Sequence, residues 1–291
     1  MRKTRFQIAK RDIVSSFENS DKRIYTYSDI SNILYQNRDY WRLPASLSTL
    51  GFIEQLTEYT KLKRYEINFP NNKIIRFSWG RVSAISIASG LKSDSYLTHY
   101  TAMFLHNLTE QIPKTVYVNH EQTQKNYRGV ELIQSRIDNA FSRPQRASRN
   151  SATLSDYNIL LLNGKHTNRM GVIEMIASEG EKVMVTNIER TLIDIVVRPS
   201  YSGGIYEVLK AYRRAVGEVS INKLTAMLKS INYIYPYHQA IGFYLQKSEV
   251  YKESQIQLLK KFDQKYDFYI THQITELEYS KEWKLYYPKG F

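Results

Sequence analysis

Apolar residues recur at helical spacing in three segments of the first sixty residues. The first segment runs from Arg5 to Phe17, and a turn signal at residues 19–21 separates it from the second. The second begins at Thr26, which can cap a helix because Asp29 follows three residues later. The buried stripe of this second helix is formed by Ile30, Ile33 and Leu34.

A third helix is predicted after Pro44, because proline suits the first turn of a helix. Apolar residues at three-residue steps predict its inward face: Leu47, Leu50, Ile53 and Leu56. Polar residues predict its opposite face: Ser46, Thr49 and Gln55. Two β-like runs follow at residues 63–67 and 73–78, and the Pro70-Asn71-Asn72 turn between them predicts a hairpin, since asparagine tolerates positive φ.

Three helices followed by a hairpin are typical of the winged helix, a helix-turn-helix variant. Its later helix enters the major groove, and its hairpin lies along the DNA backbone. We therefore predict a winged-helix DNA-binding domain over residues 1–80, with an ordinary basic α+β module as the alternative. Trp41 is expected to pack inside this domain.

From residue 84 to residue 291, helices and strands alternate without a regular βαβ period, which predicts a larger, mixed α/β domain. A short transition at 80–90 precedes a helix from Ser93 to about Asn107. Thr186 and Glu189 predict a capping box for a helix that ends before Pro199. Strands are predicted at 115–118, 159–162, 183–185, 267–270 and 283–287, and further helices at 205–216, from 220 or 222 onward, at 238–246 and at 251–262.

The formal net charge of +13 favours polyanionic partners, with nucleic acid first. The chain has no cysteine, which excludes disulfides, thiolate catalysis and cysteine-based zinc sites. No apolar stretch of about 18 residues predicts a membrane span, and no signal-peptide pattern follows Met1, so we expect a cytoplasmic protein without membrane partners.

Basic and short polar residues cluster before the third helix, on its first turns and on the hairpin. Such side chains reach base edges and phosphates. The predicted DNA-binding residues are Arg38, Tyr40, Arg42, Ser46, Ser48, Thr49, Lys61, Lys63, Arg64, Lys73 and Arg76. A second basic surface is predicted on a mobile loop at 142–150, through Arg143, Arg146 and Arg149, with a merely solvated loop as the alternative.

Candidate catalytic groups are sparse. Four carboxylates are the candidates for a nuclease metal site, although their spacing matches no motif: Glu121, Glu131, Asp138 and Asp156. His99 and His106 lie seven residues apart without a third ligand, so packing is expected for both. The chain has no phosphate-cradling glycine-rich loop and no nucleophile elbow, so neither an enzyme nor a cofactor or metal is expected.

Several stretches of the second domain resemble the antitoxin domain of the AbiEi family. They are residues 96–113, 116–118, 189–194, 198–204, 235–245 and 283–291. The resemblance rests on the order of these stretches, and the N-terminal pattern agrees with the winged helix of that family. Glu189, Arg190, Thr191 and Asp194 match a family motif, although the capping box gives Glu189 a structural role as well.

The resemblance implies an antitoxin and transcriptional repressor of a type IV toxin–antitoxin pair linked to abortive phage infection. Such a protein binds inverted repeats in its own promoter DNA and counters an AbiEii-like, nucleotidyltransferase-type toxin without requiring a stable complex with it. Two other hypotheses remain open at this point. One is a defence-associated nuclease guided by its winged helix, and the other is an interaction protein that holds the toxin directly.

Overall fold

The computed structural model describes residues 4–124, 131–177 and 180–291. Their fold is mixed α and β, as the sequence predicts. The first region, here called the head (residues 4–80), consists of α1 (Arg5–Glu18), β1 (Ile24–Tyr25), α2 (Tyr27–Asn37), α3 (Thr49–Tyr59), β2 (Leu62–Phe69) and β3 (Asn72–Trp79). The strands form an antiparallel sheet in the order β1-β3-β2.

The predicted capping box of α2 is confirmed, because the Thr26 hydroxyl accepts from the amide of Asp29 and the Asp29 carboxylate accepts from the amide of Thr26. Aromatic rings fill the core between the helices and the sheet. Phe17 stacks on Trp79 with centroids 4.6 Å apart. Trp41, buried as expected, stacks on Phe52 at 5.8 Å.

The third helix starts later than predicted. Ser48 is its N-cap, and the Ser48 hydroxyl accepts from the amide of Gly51 at 3.1 Å. Leu50 is 54% exposed, and Phe52 lies in the core with Ile53 and Leu56 instead. The predicted inward face was wrong at Leu50 and confirmed at Ile53 and Leu56. Three residues fall about 60° short of a full helical turn, so a run of three-residue steps drifts off a single face.

The C-terminal region (residues 84–291) contains a six-stranded sheet in the order β6-β7-β5-β4-β9-β8. Its strands are β4 (Tyr96–Leu97), β5 (Thr115–Asn119), β6 (Ser151–Leu154), β7 (Tyr157–Leu162), β8 (Val172–Ile176) and β9 (Lys182–Thr186). β5 pairs with β7 and β4 pairs with β9 in parallel, whereas the other pairs are antiparallel.

Most helices of this region pack beside the sheet around a second core that includes Tyr212, Tyr244 and Trp283. The helices are α4 (Ala84–Ser89), α5 (His99–Leu105), α6 (Gln134–Phe141), α7 (Ile188–Val197), α8 (Ile205–Arg214), α9 (Ile221–Ile231), α10 (Tyr237–Ser248) and α11 (Glu253–Lys260). A small sheet closes the chain with β10 (Phe268–Tyr269), β11 (Leu277–Ser280) and β12 (Leu285–Pro288). Within the described ranges, no helix combines the length and apolar character that a bilayer crossing requires.

Two predicted helix starts in this region were wrong. Ser93 does not start a helix, because Tyr96 and Leu97 pair as a strand and α5 begins only at His99. The capping box of Thr186 and Glu189 does not form either. Thr186 is the last residue of β9 and is paired with Val172, so the N-cap falls to Asn187, whose side chain accepts from the amide of Arg190 at 2.9 Å.

The hairpin of β2 and β3 packs against both regions. One end contributes Phe77 and Trp79 to the core of the head. The other end contributes apolar side chains to a core shared with the six-stranded sheet: Ile67, Phe69 and Ile74. The Arg76 guanidinium adds hydrogen bonds to the carbonyls of Gly90 and Leu91. The hairpin is therefore docked on the C-terminal region and does not project freely.

Candidate nucleic-acid interface and a cationic cavity

The connecting segment (residues 38–48) joins α2 to α3 and is fixed by Arg38. The Arg38 guanidinium donates to the carbonyls of Pro44, Ala45 and Leu47, the last at 2.8 Å. A half-buried arginine with three backbone acceptors is committed to the turn. Arg38 thus shapes the segment that was predicted to contact DNA, and its guanidinium is occupied within the protein.

Four of the predicted DNA-binding side chains in and beside this segment are open to solvent. Tyr40 is 73% exposed, and Arg42, Ser46 and Ser48 are exposed as well, although the Ser48 hydroxyl caps α3. Arg42 has a positive φ of 52°, and its carbonyl accepts from Arg5. Thr49 is half-buried, and its hydroxyl lies 3.1 Å from that of Ser31. The exposed set therefore lies immediately before the N-terminus of α3.

Most predicted cations of the hairpin have acidic or backbone partners. Lys61 pairs with Glu18 at 2.8 Å. Arg64 and Lys73 both pair with Glu66, and the hydrogen bond from Lys73 is the main reason that the pKa of Glu66 is lowered. Among the residues that the structure describes, Lys63 is the exposed cation of this set without an acidic partner.

The exposed face of α3 carries Glu54 and Glu58, and this helix contains no lysine or arginine. Its second half would therefore repel phosphate. The first turn differs, because its free amides give the helix N-terminus a partial positive charge. A nucleic-acid contact at α3 would be concentrated at this turn.

The basic loop at residues 142–150 is held at several points, contrary to the predicted mobility. The Ser148 amide donates to the Tyr201 hydroxyl at 2.7 Å, and the Gln145 side chain donates to the carbonyl of Val197 at 3.1 Å. These bonds bind the loop to the end of α7 and the turn that follows. Its three arginine side chains remain exposed: Arg143, Arg146 and Arg149.

The four residues of the AbiEi-like motif are all buried on α7 and face different neighbours. Glu189 accepts from the amide of Ser220 at the start of α9, at 3.0 Å. The Thr191 hydroxyl lies 2.8 Å from that of Thr186 on β9. These two contacts attach α7 to the helical core on one side and to the sheet on the other.

Arg190 and Asp194 form a buried ion pair at 2.8 Å. Asp194 also accepts from the Thr98 hydroxyl at 3.0 Å, and Arg190 donates to the Thr167 hydroxyl and to the carbonyl of Met170. Burial by itself would lower the pKa of Arg190, but the Asp194 carboxylate outweighs it, so the pKa is raised. The pair joins α7 to Thr98, the N-cap residue of α5, and to residues 167–170.

The four carboxylates considered for a nuclease have separate surroundings. Glu121 accepts from Tyr96 and from the amide of Thr167, whereas Asp138 accepts from Gln134 and Tyr269. Glu131 and Asp156 are exposed. Across the ranges 4–124, 131–177 and 180–291, no group of three or more His, Cys, Asp or Glu residues is placed to hold a metal ion.

The two histidines of α5 have different environments. Burial lowers the pKa of His99 to about 4, so its ring is neutral at pH 7. Its φ is 51°, a strained value for a residue other than glycine, and its ring lies against that of Tyr201 at 5.6 Å. The His106 ring bonds the carbonyl of Thr186 at 2.6 Å. His106 therefore packs as expected, whereas His99 borders a cavity.

This cavity, with a volume of about 400 Å³, lies beyond the carboxyl ends of β5 and β7. Open α/β sheets bind ligands at such strand ends. Its charged lining residues are Arg146, Lys165, Arg190, Asp194 and Arg198. We refer to it as the cationic cavity.

Comparison with solved structures shows that this chain shares its fold with another protein. A crystal structure of the RV2827C protein from Mycobacterium tuberculosis superimposes with a TM-score of 0.57 at 13% sequence identity, covering 96% of this chain and 91% of that chain. At this identity the likeness concerns the fold alone. No family model matches the chain. No curated protein matches it either.

Sequence reasoning found only part of the cationic cavity. It singled out Arg146 in the basic loop and the α7 motif, but not Lys165, Arg198 or Tyr233. A local signal existed, because Asn163, Gly164 and Lys165 directly follow the predicted strand at 159–162. Which other segments face that strand end is decided only by the pairing of β5 with β7.

Proposed function

We propose that this protein is a transcriptional repressor that binds double-stranded promoter DNA through its head, and that the head is a winged helix. The order of elements supports this, since α1, β1, α2, α3, β2 and β3 follow one another and β1 pairs with the hairpin at β3. The observation that carries the proposal is the exposure of Tyr40, Arg42 and Ser46 at the N-terminus of α3.

The partners of the predicted residues refine the proposed DNA surface. Tyr40, Arg42 and Ser46 would approach base edges and phosphates, and the amides of the first turn of α3 would receive a phosphate. Arg38 would act indirectly by fixing the connecting segment. Since the hairpin is docked on the C-terminal region, its contribution would come from the exposed Lys63 and from the cluster of Arg64, Glu66 and Lys73.

The variant Arg42→Ala is expected to weaken binding to the promoter DNA of its own gene by about 1–3 kcal/mol, because one exposed cationic contact is lost. Fluorescence anisotropy at fixed salt measures the affinity. Arg213→Ala is the matched control, because Arg213 is an exposed arginine on α8, far along the chain from the head. If Arg42→Ala and Tyr40→Ala both bound the promoter DNA as tightly as the wild-type protein, the proposed DNA surface would be wrong.

We further propose that the C-terminal region carries antitoxin activity against an AbiEii-like toxin. The support is the resemblance of residues 96–113, 116–118, 189–194, 198–204, 235–245 and 283–291 to AbiEi proteins. These stretches form β4, α5, α7, α10 and β12, which pack around the sheet and the second core.

Full-length Arg42→Ala protein should still restore the growth of cells that express an AbiEii-like toxin, while the promoter of its own gene becomes derepressed. Growth assays and a promoter–reporter fusion in the same strain separate the two activities. If folded Arg42→Ala protein lost both promoter repression and rescue from the toxin, the two activities would not be separable. Co-purification of a stable complex with the toxin would instead favour direct toxin binding.

A further inference from the structure

The cationic cavity is bordered by segments from several parts of the C-terminal region. Asn119 ends β5, residues 163–165 follow β7, and α7 supplies Arg190 and Asp194. The loop at 146–148 closes another side. Its volume of about 400 Å³ falls within the range typical of small-molecule sites, about 300–1,000 Å³.

Positive charge in the cavity exceeds negative charge. Asp194 compensates Arg190 at 2.8 Å. The other three cations, Arg146, Lys165 and Arg198, have no carboxylate partner within the described ranges. Lys165 and Arg198 donate only to backbone carbonyls, those of Asn232 and Arg146. Burial lowers the pKa of Lys165, as expected where no nearby anion stabilises the ammonium group. An anionic ligand would supply the missing partner.

Gly164 fixes the backbone position of Lys165, one of these three cations. A Cβ at Gly164 would lie 2.6 Å from Oδ1 of Asn119, which accepts from the Gly164 amide at 2.9 Å. Only glycine allows this close approach without a shift of Asn119, and the bond holds the residue before Lys165 against the end of β5. The site is thus built by a defined turn, and Lys165 enters it from a fixed backbone position.

The cavity also has an aromatic and polar wall. Tyr201 and Tyr233 line it, and the Lys165 ammonium lies 5.4 Å from the centroid of the Tyr233 ring. His99, which is 8% exposed, lines it too, and its buried Nδ1 has no hydrogen-bond partner among the described residues. An unsatisfied buried nitrogen is costly and is typical of a site that a ligand completes.

We propose that the cationic cavity binds a phosphorylated small molecule of nucleotide size, with its phosphates against Arg146, Lys165 and Arg198. Phosphate matches this lining better than a single carboxylate, because it carries more charge and accepts forked hydrogen bonds from arginine. The aromatic wall and His99 would face the organic part. The site is separate from the head and does not depend on DNA binding.

Isothermal titration of the full-length protein with ATP, inorganic triphosphate and adenosine tests this proposal. ATP is expected to bind with one-to-one stoichiometry, and the double variant Arg146→Ala with Lys165→Ala to weaken it at least about tenfold. Both side chains are exposed, so the variant should keep its fold, which circular dichroism checks. Gly164→Ala, which displaces the turn but removes no charge, is also expected to weaken ATP binding.

Lys223→Ala combined with Arg213→Ala removes the same charge at two exposed positions outside both the cavity and the head, and should leave ATP affinity unchanged. Tighter binding of ATP than of triphosphate assigns the ligand to nucleotides, and equal binding assigns it to inorganic polyphosphates; both support the phosphate site. No heat from either phosphate at about 1 mM would overturn it. Adenosine binding as tightly as ATP, or equal losses in the two double variants, would overturn it as well.

Discussion

Asp194→Ala is expected to destabilise the protein by about 3–5 kcal/mol, because it leaves the charge of Arg190 buried without its partner. Arg190 is 3% exposed, so water can replace the carboxylate only in part. The Thr98 hydroxyl loses its acceptor at the same time. Urea unfolding followed by far-ultraviolet circular dichroism gives the free energy of unfolding.

The charge itself can be tested with a double variant. Arg190→Met combined with Asp194→Leu removes both charges and keeps similar volumes, so it should be more stable than Asp194→Ala alone. Asp194→Asn is the matched single change, which keeps the shape but removes the negative charge. If Asp194→Asn were as stable as the wild-type protein, the ion pair would not be the source of the stability.

Gly242→Ala is expected to cost about 3 kcal/mol through overpacking. Gly242 lies on α10 against Trp283, which is fully buried. A Cβ at this glycine would lie 2.1 Å from Cζ3 of the Trp283 ring. The ring has little freedom to move, because its Nε1 donates to the Gln246 side chain at 2.6 Å and the Lys260 ammonium lies 4.8 Å from the ring centroid.

The effect of overpacking against Trp283 can be separated from the effect of helix propensity, which by itself would favour alanine over glycine by about 1 kcal/mol. In a Trp283→Leu background, Gly242→Ala should cost much less, and thermal unfolding of the four proteins gives the coupling energy. Gly90→Ala is a control, since its Cβ would come no closer than 3.6 Å to a neighbour. Equal losses from Gly242→Ala in both backgrounds would contradict a clash with Trp283.

This contact joins two of the AbiEi-like stretches, residues 235–245 and 283–291. Gln239 strengthens the junction, because its side-chain amide donates to the carbonyls of Trp283 and Tyr266. The pattern of these stretches therefore has a packing reason.

Local signals in the sequence predicted much of the secondary structure. The Thr26 and Asp29 capping box forms, Ser220 caps α9, and the apolar run at 115–118 is a strand. These features depend on residues within one helical turn or one strand. The strands β1 and β4 were missed, since each has two residues and exists only through pairing with a distant partner. The strands β6, β8 and β11 and the short helices α4 and α6 were missed as well.

The sequence by itself determined the fold class, several of the helices and the excess of positive charge, because these depend on nearby residues or on composition. Only the tertiary structure decided where the cations gather. Arg38 and Arg76 each fix backbone carbonyls of a neighbouring segment, whereas Arg146, Lys165 and Arg198 meet at one cavity from three separate segments. The physical reason is that the partner of a long charged side chain is set by strand pairing and helix packing between residues far apart in the chain.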